Sequence, residues 1–265
     1  DAEWFTLGSM DPAAKQNLLV TFSSQGGAIE RIELTARNKD GSLTYRRDDT
    51  RTGYLGYFAG ESSVQGDGMR VNVVGPGTPA ATAVANSGET GIQTGDVLLA
   101  VDGQPVTSDM DIQTALSESK PGDTVTVEVA RGASPDAAKT PLLFEATLSQ
   151  HPLDLVRLAQ VGGVDQIEGN LSRLSCLMTV AQMGTKRIAT GKRSLPGFGE
   201  PESRLWVGNV SETNDGGQTI EFETTIGSNV AEAAGGEPGQ MKRSFTIEPN
   251  SFIVDMAVEL GDRGD

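Results

Sequence analysis

The chain has 265 residues, 37% of them hydrophobic and 22% charged, with 33 glycines against 12 prolines and a formal net charge of −15. This composition excludes a collagenous or disordered polymer; the length leaves room for one large β domain or, by preference, two domains of ordinary size, and the many turn formers favour β structure. The acidity excludes nucleic-acid or anionic-lipid binding over the whole surface, and no run of 18 apolar residues offers a membrane span.

The first thirty residues lack the basic-then-apolar pattern of a signal peptide. The ends, Asp1-Ala2-Glu3-Trp4 and Gly261-Asp262-Arg263-Gly264-Asp265, read as the cut ends of a longer protein. Asn17 to Phe22 predicts a strand, Gln25-Gly26-Gly27 a turn, and Ala28 to Leu34 a second strand with alternating faces, which together make a hairpin. Asn38-Lys39-Asp40-Gly41 supplies a further turn before Ser42 to Arg46. The run Arg46-Arg47-Asp48-Asp49-Thr50-Arg51-Thr52 is charged enough to be a solvated loop, and a domain boundary is expected within it.

From Gly53 to Gln150 there are 4 basic and 12 acidic residues, a denser acid excess than in the remaining chain and a sign of a separate module. Gly53-Tyr54-Leu55-Gly56-Tyr57-Phe58 can aim successive backbone N–H groups into one concavity, where a carboxylate or peptide carbonyl is bound without a cationic side chain. Val73-Val74-Gly75-Pro76-Gly77-Thr78-Pro79-Ala80-Ala81 reads as a strand ending in a turn and a short helix. Gly91-Ile92-Gln93-Thr94-Gly95-Asp96 then leads into the strand Val97 to Val101. Ser108 to Ser119 predicts a helix stopped by Lys120-Pro121-Gly122-Asp123, and Val125 to Val129 and Leu142 to Leu148 complete the strands.

In order and spacing these segments resemble the PDZ domains of HtrA-type proteases, with Asn86-Ser87-Gly88-Glu89-Thr90 as extra residues forming an added loop. The resemblance implies that a peptide adds as a strand beside Leu55 to Phe58 and lies against the helix that starts near Ser108. Gly53, Tyr54, Leu55, Gly56 and Tyr57, with Ile112 and Leu116 as pocket residues, are the implied peptide-binding set. A core role for Ile112 and Leu116, and a plain tight turn for the glycines, stay open beside that reading. The module's charge disfavours acidic peptides.

After Gln150 alternation resumes. Ser175 to Met183, Leu205 to Ser211, Gln218 to Ile226, Met241 to Glu248 and Phe252 to Leu260 predict strands, whereas Leu153 to Ala159 is either a short helix or an extended segment. Two Gly- and Pro-rich loops are expected, Gly191 to Glu202 and Asn229 to Gln240. Consecutive antiparallel strands with such turns favour a sandwich. Cys176 is the only cysteine, which excludes an internal disulfide framework, and its neighbours Leu177 and Met178 predict a buried, inert thiol. Lys186, Arg187, Lys192 and Arg193 form a basic turn, either simply solvated or facing anionic lipid headgroups.

The outer segments carry a second resemblance. Val20 to Leu34, with its strand, polar Gly turn and second strand, is similar to the opening of the periplasmic domain of YidC-type membrane protein insertases. Lys242-Arg243-Ser244-Phe245-Thr246-Ile247-Glu248-Pro249-Asn250-Ser251-Phe252-Ile253-Val254-Asp255 resembles that domain's later hairpin, and Trp4 to Ser9 resembles the segment after the first membrane span. The expected fold class is therefore mainly β: a twisted β-sandwich, or supersandwich, formed by 1–52 and 151–265 and interrupted by a PDZ-like α+β insert at 53–150. The resemblance implies a periplasmic face location at the bacterial inner membrane, with anchoring spans outside this chain. It also implies a chaperone-like role in protein transport through contacts with translocase components or nascent membrane proteins.

Catalysis is not expected. His151 is the sole histidine, which excludes HExxH zinc chemistry and any mechanism with two histidines, and no Gly-x-Ser-x-Gly elbow occurs. Gly184 to Arg193 has the wrong glycine spacing for a phosphate loop. The pairs Asp48-Asp49 and Asp109/Asp111 are read as a solvated loop and a helix N-terminus rather than as metal ligands. Neither cofactor nor metal is expected. The alternative function is a regulatory PDZ-containing region of an envelope protease or secretion-system component, and a carbohydrate-active sandwich lacks the side chains it would need.

Overall fold

The computed structural model describes residues 1–48, 51–63, 67–132, 141–155, 174–178, 182–183, 186–187, 201, 204–225 and 239–261. Its first strands are β1 (Trp4–Gly8), β2 (Leu18–Ser23), β3 (Ala28–Leu34), β4 (Glu61–Ser62) and β5 (Met69–Arg70), followed by helix α1 (Pro79–Thr82). Then come β6 (Val84–Ala85), β7 (Val97–Val101), β8 (Gln104–Pro105), helix α2 (Asp109–Ala115), β9 (Thr124–Ala130), β10 (Pro141–Thr147) and β11 (Leu153–Asp154). The last are β12 (Gln182–Met183), β13 (Lys186–Arg187), β14 (Val207–Glu212), β15 (Gln218–Thr225), β16 (Gln240–Ile247) and β17 (Val254–Leu260). The molecule is mainly β with several antiparallel sheets, as its alternation predicts. Two compact units divide it: 1–7, 20–32 and 155–265 in one, 8–19 and 33–154 in the other.

In the first unit β14-β15-β16-β17 form an antiparallel sheet. The register pairs Ile220 with Phe245 and Phe222 with Arg243, so the apolar alternates of neighbouring strands share one face. Phe22 of β2 packs on that face, 5.2 Å from Phe245 and 6.2 Å from Phe222, and Phe5 of β1 meets Phe222 edge-on at 5.7 Å. Tilted and edge-to-face geometry is what ring quadrupoles favour. This is the face-to-face packing of a sandwich.

Arg243 lies on the same inner face and is completely buried. Its Nη1 donates to the carbonyls of Gly27 at 2.8 Å and Cys176 at 2.7 Å, and its guanidinium stands over Trp206 and Phe245 at 5.1 and 5.8 Å. Among the described residues Nε and Nη2 meet no hydrogen-bond partner, and burial pushes the pKa below the ordinary arginine value. Among the described residues, aromatic faces and carbonyls therefore replace water around this cation, and no carboxylate pairs with it.

Two expectations from the sequence need correction here. Cys176 is exposed, not buried: its backbone is left-handed (φ 63°), which delivers its carbonyl to Arg243 and leaves the thiol outside. The same conformation ends the strand predicted from Ser175. Ser175 makes one isolated bridge with Ile29, and Cys176 then breaks the extended geometry; Gln182 and Met183 belong to a different pairing, with β13. Residues 179–181 of that predicted strand, and the greater part of both Gly- and Pro-rich loops, lie outside the described residues.

In the second unit one sheet runs β4-β5-β7-β9-β10-β6, with β8 paired to β7. Its core gathers Phe58, Met69, Val71, Leu98, Val127 and Phe144. The Gly95-Asp96 turn is tied inward, because the buried Asp96 carboxylate accepts from the Gln93 N–H at 2.8 Å and from Arg131 Nε and Nη2 at 2.9 and 2.7 Å. This bidentate pair raises the Arg131 pKa chiefly through the Asp96 hydrogen bonds. The extra residues Asn86 to Thr90 form a small turn closed by a Val84–Thr90 bridge.

The unit also includes chain outside 53–150. Met10 donates its N–H to the Pro76 carbonyl at 2.8 Å, Arg37 Nη2 donates to the Met10 carbonyl at 2.9 Å, and Leu153 and Asp154 pair with Leu34 and Glu33. Leu153 and Asp154 thus take the extended alternative, while 156–159 lie outside the described residues. Arg46 bridges Pro152, so the two junction segments run side by side. No described helix is long and apolar enough to cross a membrane.

Candidate peptide-binding site

The loop that opens the module is held at both ends. Tyr54 exchanges two backbone hydrogen bonds with Ser149, at 2.9 and 3.1 Å, which joins the first residues of the module to its last. The Gly53 N–H donates to Ser119 Oγ at 3.1 Å, and Ser119 Oγ in turn donates to the Leu116 carbonyl at 2.7 Å. The loop is therefore fastened to the C-terminal end of α2. A Cβ at Gly53 would lie 2.4 Å from Leu148 Cδ1, so the approach requires glycine.

Beyond Tyr54 the main chain alternates between engaged and open groups. The carbonyl of Leu55 accepts from Ala80, and that of Phe58 accepts from Asn72 and Val73. Among the described residues, no acceptor meets the N–H groups of Leu55 and Gly56. Gly56 stands between them and Tyr57 at φ +147°, a conformation that L side chains rarely adopt. Two successive open donors in a half-buried loop are suited to an oxygen ligand, such as a carboxylate or an extended main chain.

Helix α2 packs its Ile112 into the same core as Leu55. Ser108 caps it, with Oγ accepting from the Asp111 N–H, and the Asp111 carboxylate accepts from the N–H and Oγ1 of Thr107, both at 2.9 Å. Those bonds, Thr107's first, hold the Asp111 pKa below the usual aspartate value. The helix is shorter than its predicted 108–119 span because Ser119 folds back onto Leu116 and satisfies a terminal carbonyl before Pro121 is reached.

The structure separates the seven residues assigned from sequence. Leu55, Ile112 and Leu116 come together inside the hydrophobic core. Gly53 and Gly56 shape the loop backbone, and Tyr57 is half-buried beside them. Tyr54 turns away from the loop: its buried hydroxyl donates to Glu33 Oε1 at 2.6 Å and its ring lies 5.0 Å from the His151 ring. Sequence reasoning missed Ser119 and Glu33. Ser119 sits just before the Lys120-Pro121 stop, a place where a helix-ending hydroxyl is a readable signal, but nothing local marks Glu33. Replacing Ser119 with alanine is expected to cost about 1 kcal/mol, read as a lower urea midpoint at unchanged slope.

Other sequence candidates are placed as follows. His151 Nε2 lies 3.2 Å from Thr52 Oγ1 at the junction. Lys186 and Arg187 form β13, paired with β12, whereas Lys192 and Arg193 lie outside the described residues. Among the described residues no group of three or more His, Cys, Asp or Glu side chains is arranged to hold a metal.

No curated protein matches this chain. A family description does match inside it: PDZ domain, over residues 53–142. The match begins at the glycine that anchors the open loop and takes in α1, α2 and strands β4 to β9. Residues 53–142 are a PDZ domain, a module for docking a peptide or a partner protein.

Proposed function

We infer that this chain is a non-enzymatic docking region whose PDZ domain captures an extended peptide by its C-terminal carboxylate, at the open N–H groups of Leu55 and Gly56. That pair of donors, in a loop fastened through Ser119 to the end of α2, is the observation that carries the reading. The peptide's main chain continues along Tyr57 and Phe58. The acid excess of 53–150 favours basic or neutral ligands over acidic ones.

The setting we infer is the periplasmic face of the bacterial inner membrane, in a YidC-type insertase whose membrane spans lie outside this chain. The strand and turn pattern of Val20 to Leu34 and Lys242 to Asp255 supports it, as does a face-to-face packing of sheets. In this reading the sandwich is a scaffold and the PDZ domain an added docking arm for translocase components or nascent membrane proteins.

Fluorescence anisotropy with labelled peptides ending in Lys-Val-Val, as free acid and as C-terminal amide, tests the carboxylate site. Binding of the acid at least about tenfold tighter than of the amide is expected, as loss of charge-assisted bonds to two N–H groups requires. Equal binding would remove the carboxylate site. Mapping the neighbouring reading frame tests the setting: about five membrane spans are expected from the family resemblance, and a serine protease domain would overturn it.

A further inference from the structure

Strand β17 is the edge of the sheet β14-β15-β16-β17, and its only pairing among the described residues is with β16. The register runs without a bulge from Val254 opposite Ile247 to Leu260 opposite Met241. Directly opposed residues share a face, so Val254, Met256, Val258 and Leu260 continue the row of Ile247, Phe245, Arg243 and Met241. On β16 that row is buried to 4% exposure or less; on β17 Met256 is 50% exposed, Val258 41% and Leu260 68%. Phe252 and Ile253, which lead into the strand, are 49% and 61% exposed. The inner face thus runs one strand beyond its cover.

Edge strands are ordinarily blunted by a bulge, a proline or an inward charge, and Val254–Leu260 has none of these. The other face carries Asp255 and Glu259. Glu259 lies opposite Lys242, but the Lys242 ammonium is bonded to Glu221 and Glu223 of the neighbouring strand instead. Neither acid has a cationic partner among the described residues. Among the described residues, the edge therefore offers main-chain groups without a strand partner, an apolar row more exposed than its continuation on β16, and two carboxylates without a cationic partner.

We propose that β17 is a strand-addition site for an extended partner segment in which apolar residues alternate with lysine or arginine. Such a segment would continue the apolar row on one face and set its cations beside Asp255 and Glu259 on the other, while its main chain completes the edge. A second copy of this chain fits less well: antiparallel pairing over all seven residues would put Asp255 against Glu259 twice, and like charges directly opposed destabilise a pair.

The test uses the 265-residue chain and three labelled heptapeptides: one alternating valine and lysine, one alternating valine and glutamate, and one with the valines and lysines in separate blocks. Anisotropy should show binding of the first alone, and hydrogen exchange should slow at residues 254–260 when it is bound. In the double variant Asp255→Lys, Glu259→Lys the preference should shift toward the glutamate peptide, with the lysine peptide weakened about fivefold or more. Equal binding of the two lysine peptides, or protection confined to 53–142, would overturn the proposal. So would a dimer that Met256→Lys converts to monomer. Should the double variant fail to fold, the exchange map of the unmodified chain decides.

Discussion

Phe222→Ala is expected to destabilise the β14–β17 unit by about 3–5 kcal/mol, the range for truncating a buried phenylalanine. Phe222 is fully buried and meets three other rings, Phe5, Phe22 and Phe245, at 5.7, 6.2 and 6.4 Å. Alanine removes its transfer free energy and leaves a void that rings fixed on three other strands fill only in part. The edge-to-face contacts with Phe5 and Phe245 are lost as well, which places the value in the upper part of the range. Urea unfolding should show a lower midpoint at unchanged slope, with Asn209→Ala, on the exposed β14, as a control moving stability by no more than about 0.5 kcal/mol. A Phe222→Ala cost near that of the control would mean that the two sheets do not share a packed core.

Within the PDZ domain, the largest loss is expected from Asp96→Ala, about 3 kcal/mol. Breaking a buried ion pair costs about 3–5 kcal/mol because one charge stays behind unpaired. Here the lower end applies, since the Arg131 side chain keeps 21% exposure and regains some water. Two further effects add to the loss: the Gln93 N–H loses its acceptor, and Arg131, which stands over Phe144 at 5.3 Å, loses the group that orients it. Asp96→Asn keeps an acceptor for Gln93 and should fall between the two. Hydrogen exchange at β7 and β9 is the measurement, because Arg131 follows β9 directly and Asp96 precedes β7 directly. Unchanged protection of both strands in Asp96→Ala would show that the pair does not brace the turn.

Much of this fold is legible in local pattern. Gln218 to Thr225, Gln240 to Ile247 and Val254 to Leu260 alternate cleanly enough to be strands, and Gly, Asn and Pro clusters mark where they turn. The PDZ domain is legible for a different reason: its turn glycines, its Gly95-Asp96 step and its capped helix are each local devices, and their order is enough to identify it. The open loop at Gly53 is legible too, because only glycine allows the close approach to Leu148 and the φ of +147° at Gly56.

What the sequence by itself determined, then, is the class of most segments, the turn chemistry between them and the presence of a PDZ domain. The tertiary structure alone decided which side chains face which neighbours. Ile112 and Leu116 have the spacing of one helix face in either role, and only the packing of α2 on the sheet puts them in the core. Cys176 sits among apolar residues, yet a carbonyl bond to Arg243, 67 positions away, turns its thiol outward. From sequence Arg243 reads only as part of the Lys242 to Asp255 hairpin, and only the fold closes Trp206, Phe245 and the Gly27 carbonyl around it. The same holds for β17, whose alternation predicts one covered face; whether a second sheet reaches far enough to cover it depends on contacts between residues distant in the chain, and local alternation carries no record of them.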